Sequence, residues 1–246
     1  MKPITGYVYA PDVDPGLLAG ATLGAIVRQS DRSPPWIVVA HSIEAAVIAR
    51  WPGRLYRVVV LDAEGIEQAS AHAHYTRAVA VRVCEEVPAW CLFGDHGEAV
   101  SAVISFATRL EMPTARLLAD LRHPLAAQAF SRAWNRWLNR TGATSAHDES
   151  DFSGTLAAGA GPSRSPINYG LTLTYRAVWD RADALMGSEA FVDDEEGERT
   201  LAPVWSSAAA ALLDAAIAVG APSIVTEEDA VILTAAWRSV ADQAKS

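Results

Sequence analysis

The sequence predicts an α+β fold: a small mixed sheet with interleaved helices in the N-terminal half, packed against a helical C-terminal half. Short β-rich runs such as Trp36–Ala40, Leu55–Leu61 and Val79–Val83 all fall before residue 110. Beyond that point they almost vanish, and apolar residues recur at helical spacing instead. Hydrophobic residues make up 50% of the chain against 20% charged, enough apolar mass to build a core. At 246 residues the chain is long for one domain. The expected division is an α/β portion over residues 1–110 and a helical portion over 111–246. A Gly/Ser/Pro-rich segment at 143–166 reads as a flexible loop.

Taken in order, Ile4–Tyr9 reads as a strand ended by Pro11. Asp14-Pro15 has the form of an N-cap followed by proline at the first helical position, predicting a helix towards Gln29 that Ser33-Pro34-Pro35 stops. Trp36–Ala40 is an apolar run of strand length. Ser42 is placed to cap a helix from Ile43 to Trp51, and Pro52-Gly53 turns the chain into the β segment Leu55–Leu61. Val79, Val81 and Val83 alternate with Ala80 and Arg82, marking a strand with two unlike faces. Asp95 with Glu98 three residues on predicts a capped helix running to Leu110.

In the second half, Pro113 and Pro124 open two helices. The latter reaches Asn139 with Phe130, Trp134, Trp137 and Leu138 along one side, and Gly142 is placed to end it. Leu171, Tyr175, Val178, Ala182 and Leu185 mark a third helix, Pro203–Val219 a fourth, and Thr226 with Asp229 the start of a fifth. Asp193–Glu198 reads as a solvated acidic turn. Trp179, Trp205 and Trp237 stand in Ala-rich helices, where a large ring fills the space that small neighbours leave.

Composition bounds the chemistry mostly by exclusion. Lysine occurs only at Lys2 and Lys245, so a Schiff base, a P-loop and a kinase site each lack their amine. A net charge of −9 argues against a general nucleic-acid surface. Two cysteines, Cys84 and Cys91, form no disulfide framework and suit reduced thiols. With no long apolar run and no signal-like start, the expectation is a soluble, cytoplasmic protein without a membrane partner. Nucleophile-elbow, zincin, Rossmann and EF-hand motifs are all missing.

Several residues stand out as candidates. His72 and His74 would share a face of an extended segment and could ligate a metal, although their spacing fits no tight zinc signature and none is assigned. Cys91 near Asp95-His96 has the elements of a nucleophile with its base, but it lies in an apolar run where a buried structural thiol is the default. Arg50, Arg54 and Arg57 around the Pro52-Gly53 turn could converge on an anion. The simplest role for Ser42 is that of an N-cap.

The run Val38-Val39-Ala40-His41-Ser42-Ile43-Glu44 is similar in layout to the strand–serine segment of mono-ADP-ribosyltransferases. The resemblance covers at most residues 4–90, and the fuller serine-threonine-serine signature is absent. It implies NAD as cosubstrate, Ser42 supporting the nicotinamide site, Glu86 or its neighbour Glu85 orienting the ribose, and Tyr7 or Tyr9 lining the pocket.

Two classes of function follow. The leading expectation is a non-catalytic binding or interaction protein whose helical half supplies a surface for a protein partner, with no cofactor. The alternative is a transferase or hydrolase with its pocket in the N-terminal half. It would use Ser42 and Glu86 as catalytic residues, Tyr7, Tyr9 and Arg54 as ligand-binding residues, and NAD in its ADP-ribosyltransferase-like version. A metal-dependent protein built on His72 and His74 is a further alternative.

Overall fold

A computed structural model describes residues 3–63, 74–141 and 165–243. The architecture is α+β, with a sheet in the N-terminal half and helices C-terminal to it. The chain forms two compact units that divide between Gly94 and Asp95. The helix following Asp95 therefore belongs to the helical unit, whereas the sequence placed it with the α/β portion.

The first unit is built on five strands: β1 (Thr5–Pro11), β2 (Ile26–Arg28), β3 (Ile37–Ala40), β4 (Gly53–Ala63) and β5 (Tyr75–Val87). All pairings are antiparallel, and the sheet closes on itself. The register shows how. From Tyr75 on β5 the pairing runs to Ala40 on β3, to Tyr7 on β1, to Arg57 on β4, and back to β5 at Glu85, ten residues further along. That offset is the stagger that lets a few strands wrap into a barrel. β5 serves β4 along one side, while β3 and then β2 share its other side.

Alternation decides what fills the interior. Val8, Val39, Tyr56, Val58, Ala78 and Val81 point inward and are buried. Leu18 and Ala21, from the segment after β1, join the same core, and the Tyr56 hydroxyl donates to the Ala21 carbonyl at 3.3 Å. Gly6 sits where β1 meets β3, and a Cβ there would collide with the Ala40 carbonyl oxygen. Its missing side chain lets the two strands approach.

The two helices expected between the strands do not form. Residues 16–18 make a single 3-10 turn, and β2 lies inside the segment expected to be helical. Asp14, Gly16, Gly20 and Gly24 all have positive φ, at 64°, 57°, 66° and 81°, a conformation that no right-handed helix contains. Residues 41–51 contain bends, a turn and irregular backbone but no helix, so Ser42 caps none. Burial there alternates, with Ala46 and Ile48 buried and Val47 exposed, which is strand-like rather than helical.

The second unit contains α1 (Gly97–Ala107), α2 (Met112–Leu121), α3 (Ala126–Thr141), α4 (Gly170–Met186), a hairpin of β6 (Phe191–Asp193) and β7 (Arg199–Leu201), α5 (Pro203–Gly220) and α6 (Glu227–Gln243). The five helices expected beyond residue 110 are present. The acidic turn at 193–198 joins two short strands that the sequence did not announce. α1 starts behind His96 with no side-chain cap, so Asp95 does not play the expected role. At α6 the expected cap is present, with the Asp229 amide donating to Thr226 Oγ1 at 3.2 Å. Gly142 and most of the 143–166 segment lie outside the described residues.

α5 is the centre of this unit. It is the one described helix long and apolar enough to cross a membrane, yet most of its side chains are buried among the other helices. Trp205 is buried on α5, as expected of a core anchor, while Trp179 and Trp237 are half-buried. Gly170 and Gly220 both pack where a Cβ would press on Val100 and Ile167, so α1, α4 and α5 approach closely. Two buried carboxylates tie the bundle together. Asp214 on α5 accepts from Arg122 Nε at 2.7 Å. Asp229 on α6 accepts from Arg132 Nε at 3.1 Å and from Arg136 at 2.9 Å.

These carboxylates titrate in opposite senses. Burial raises the Asp214 carboxyl above the usual range, and Arg122 offsets this only in part. The hydrogen bond from Arg132, aided by Arg136, holds Asp229 below that range despite burial.

The Gly6→Ala variant should lose about 1–3 kcal/mol by overpacking against backbone, read as a lower Tm. Asp229→Asn should be less stable than the wild type above about pH 4, the gap closing as acid protonates the wild-type carboxyl. Asp214 has a raised folded pKa, so its stabilising contribution is present in acid and lost as pH rises through that value. Asp214→Asn should therefore gain on the wild type as pH rises from about 4. Urea denaturation across a pH series checks both slopes.

Candidate functional site

The described groove on the first unit lies where β1 and β3 meet, and it is lined by residues of both faces of these strands. β1 alternates Val8 and Ala10 inward with Tyr7 and Tyr9 outward. β3 sends Ile37 and Val39 inward and Val38 and Ala40 outward, and the Tyr7–Ala40 pairing sets the two outer rows side by side. Trp36 stands just before β3. Leu17, from the 3-10 turn, and Val47 complete a groove of about 300 Å³ over these strands. Leu17, Val38 and Val47 are 47%, 45% and 44% exposed, so three large aliphatic side chains face water on one surface.

Tyr9 is the fixed end of this groove. Its ring stacks on Trp51 at 6.4 Å with an interplanar angle of 6°, and Trp51 in turn packs on Phe93 at 5.0 Å. The Tyr9 hydroxyl donates to the Arg50 carbonyl at 2.9 Å. Gly53 makes this arrangement feasible, because a Cβ there would meet the phenol and, at 2.5 Å, the Ala10 carbonyl oxygen. Burial, reinforced by the negative charge of Asp12, pushes the phenol well above its ordinary value, so it stays a neutral donor.

Of the residues singled out by sequence, the structure brings Tyr7 and Tyr9 together in this groove and places the others elsewhere. Arg54 and Glu86 form a bidentate cross-strand pair, Nε to Oε1 at 2.8 Å, with the guanidinium 5.2 Å from the Tyr56 ring centroid. The hydrogen bond from Arg54 is what lowers the Glu86 carboxyl. Glu86 shares a row with Tyr56 and Val8, which point inward, so it stands on the opposite side of the sheet from Tyr7 and Tyr9. Glu85 is paired with Arg57 at 2.8 Å.

Ser42 is exposed in the bend after β3. From neighbouring Ala40 to Glu85 the register takes three strand steps around the barrel, roughly 14 Å along its wall. The serine, glutamate and tyrosines of the layout seen in the sequence thus do not share a pocket. Nor do Arg54 and Arg57 converge, since each binds its own glutamate.

His72 lies outside the described residues. His74 is exposed ahead of β5, and its carbonyl accepts from the His41 amide at 2.8 Å. Among the described residues no group of three or more histidine, cysteine, aspartate or glutamate side chains is placed to hold a metal ion. Burial raises the Cys91 thiol above its ordinary value, opposite to what a nucleophile requires.

Sequence reasoning missed Leu17, Trp36, Val38 and Val47 as parts of a site. The available signal was the unbroken apolar run Trp36–Ala40. Such a run usually marks a strand covered on both faces, but here the outer residue Val38 remains half in water. Compared with protein-family models, with curated proteins and with solved structures, the chain matches none.

Proposed function

We propose that the chain is a non-catalytic binding protein and that the barrel groove is where its ligand sits. The observation that supports this reading is the groove's composition: aromatic and aliphatic walls in which the only titratable side chains are tyrosines. Its volume falls at the small end of the range for ligand pockets. The carboxylates that a transferase would need, Glu85 and Glu86, are engaged by arginines. Two free cysteines accord with a reducing, cytoplasmic location.

The test is titration of the full chain with an apolar fluorophore such as anilinonaphthalene sulfonate. Binding is expected to the wild type and to be lost in Trp36→Ala and in Val38→Glu. Binding unaffected by both substitutions would overturn the reading. Millimolar NAD should leave Tm unchanged, and a rise would favour the transferase reading instead.

One observation supports a second surface, on the helical half. Along α3, Phe130 stacks on Trp134 at 6.1 Å and Trp134 meets Trp137 at 5.2 Å, and all three rings are half-buried. The strip borders the buried face of α3, which carries Ala126, Ala129 and Ala133 and is flanked by the arginines that hold Asp229. On this reading the strip serves a protein partner rather than the core. Phe130→Ser and Trp134→Ser should then change stability by at most about 1 kcal/mol. Trp205→Ala, in the core, should cost about 3–5 kcal/mol. A loss at Trp134 as large as that at Trp205 would show the strip to be packing.

A further inference from the structure

One polar contact of the helical unit joins a buried donor to an oxidisable acceptor. Trp205, in the first turn of α5, is 1% exposed, so its indole N–H needs a partner inside the protein. It donates to Met186 Sδ at 3.2 Å and finds no other acceptor among the described residues. An indole N–H can only donate, and a thioether accepts weakly. A change of chemistry at this sulfur therefore acts directly on a core side chain.

Met186 stands where solvent can reach it. It is the last residue of α4 and is half-buried, and Gly187, at a φ of 56°, ends the helix behind it. Its neighbours Leu185, Gly187 and Ser188 are exposed. The chain has three methionines, and Met1 lies outside the described residues. Met112, at the start of α2, is half-buried like Met186, but no hydrogen bond among the described residues engages its sulfur. The two thus differ in what their sulfur holds, which makes Met112 an internal control.

A hydroperoxide transfers one oxygen to a thioether. The peroxide O–O bond breaks, an S–O bond forms, sulfur gives up two electrons and the peroxide leaves as water or an alcohol. With nitrogen and sulfur already 3.2 Å apart, no oxygen fits between them. The sulfoxide is polar, and its oxygen is better solvated by water than by a buried ring. Its side chain is then drawn outward, and the Trp205 N–H is left buried without an acceptor. The effect falls where α4 and α5 are joined through the β6–β7 hairpin. That junction is otherwise closed by the Ala202 amide donating to the Ala190 carbonyl at 2.8 Å and by Trp179 against Phe191 at 4.5 Å. We propose that Met186 is a redox-sensitive modification site, where a hydroperoxide forms a sulfoxide that frees the Trp205 N–H and loosens the junction of α4 with α5. Reduction of the sulfoxide reverses it.

The test treats the full chain with hydrogen peroxide and then with dithiothreitol, which returns disulfides and sulfenic acids of Cys84 and Cys91 to thiols but leaves a sulfoxide in place. Peptide mass mapping is expected to find one oxygen added at Met186. Thermal denaturation should show Tm lowered by several degrees and regained after treatment with methionine sulfoxide reductases. Met186→Leu, which keeps the volume and removes the sulfur, should show no peroxide-dependent shift, whereas Met112→Leu should shift as the wild type does. Trp205→Phe keeps a ring without an N–H and should shift less than the wild type. If it fails to fold by circular dichroism, the two methionine variants decide alone. The inference is overturned by a Met186 that stays unoxidised where Met112 is oxidised, or by oxidation at Met186 with Tm unchanged. A shift that persists in Met186→Leu, or one undiminished in Trp205→Phe, overturns it equally.

Discussion

The ten-residue stagger around β5 governs the first unit. A closed antiparallel wall must fill its interior with alternate side chains, and small and medium residues do so here around the Tyr56 ring. The outward row of β1 and β3 is then free to carry residues that the core does not require, and Tyr7, Tyr9 and Val38 stand in that row. Gly6 and Gly53 belong to the same constraint, one admitting the β1–β3 approach and the other the Tyr9 ring.

The class of the fold and most of the helical half are legible in the sequence, because helix periodicity and proline placement are local signals. Pro203 at the start of α5 and Thr226 before α6 stand where the structure starts those helices. The first half is less legible for a physical reason. Asp14-Pro15 satisfies the rules for opening a helix, but three later glycines at positive φ override it, and glycine spacing alone does not reveal φ. Ser42 likewise precedes an apolar run whose burial turns out to be alternating. The closure of the sheet depends on pairings between residues as distant as Tyr7 and Arg57, which no local window contains.

The same contrast holds for the site. Tyr7 and Tyr9 were visible as aromatic residues on a first strand, and the groove contains both. The expected grouping of Ser42, Glu86 and Arg54 with them followed chain order. The barrel instead sorts residues by face, and Glu86 and Tyr9 differ in face although their strands are close. The ion pairs of Arg54 and Arg57 are cross-strand stitches on exposed backbone, with modest energetic weight.

Asp214 gives α5 a second property. Over its eighteen residues this helix is apolar enough to resemble a bilayer segment, yet it carries one carboxylate on its buried side. Inside the bundle, Arg122 answers that charge. In lipid nothing would, and an aspartate deep in a membrane helix costs about 2.5–3.5 kcal/mol on insertion scales. The residue that the folded core holds with an arginine partner thus raises the cost of placing this helix in a bilayer.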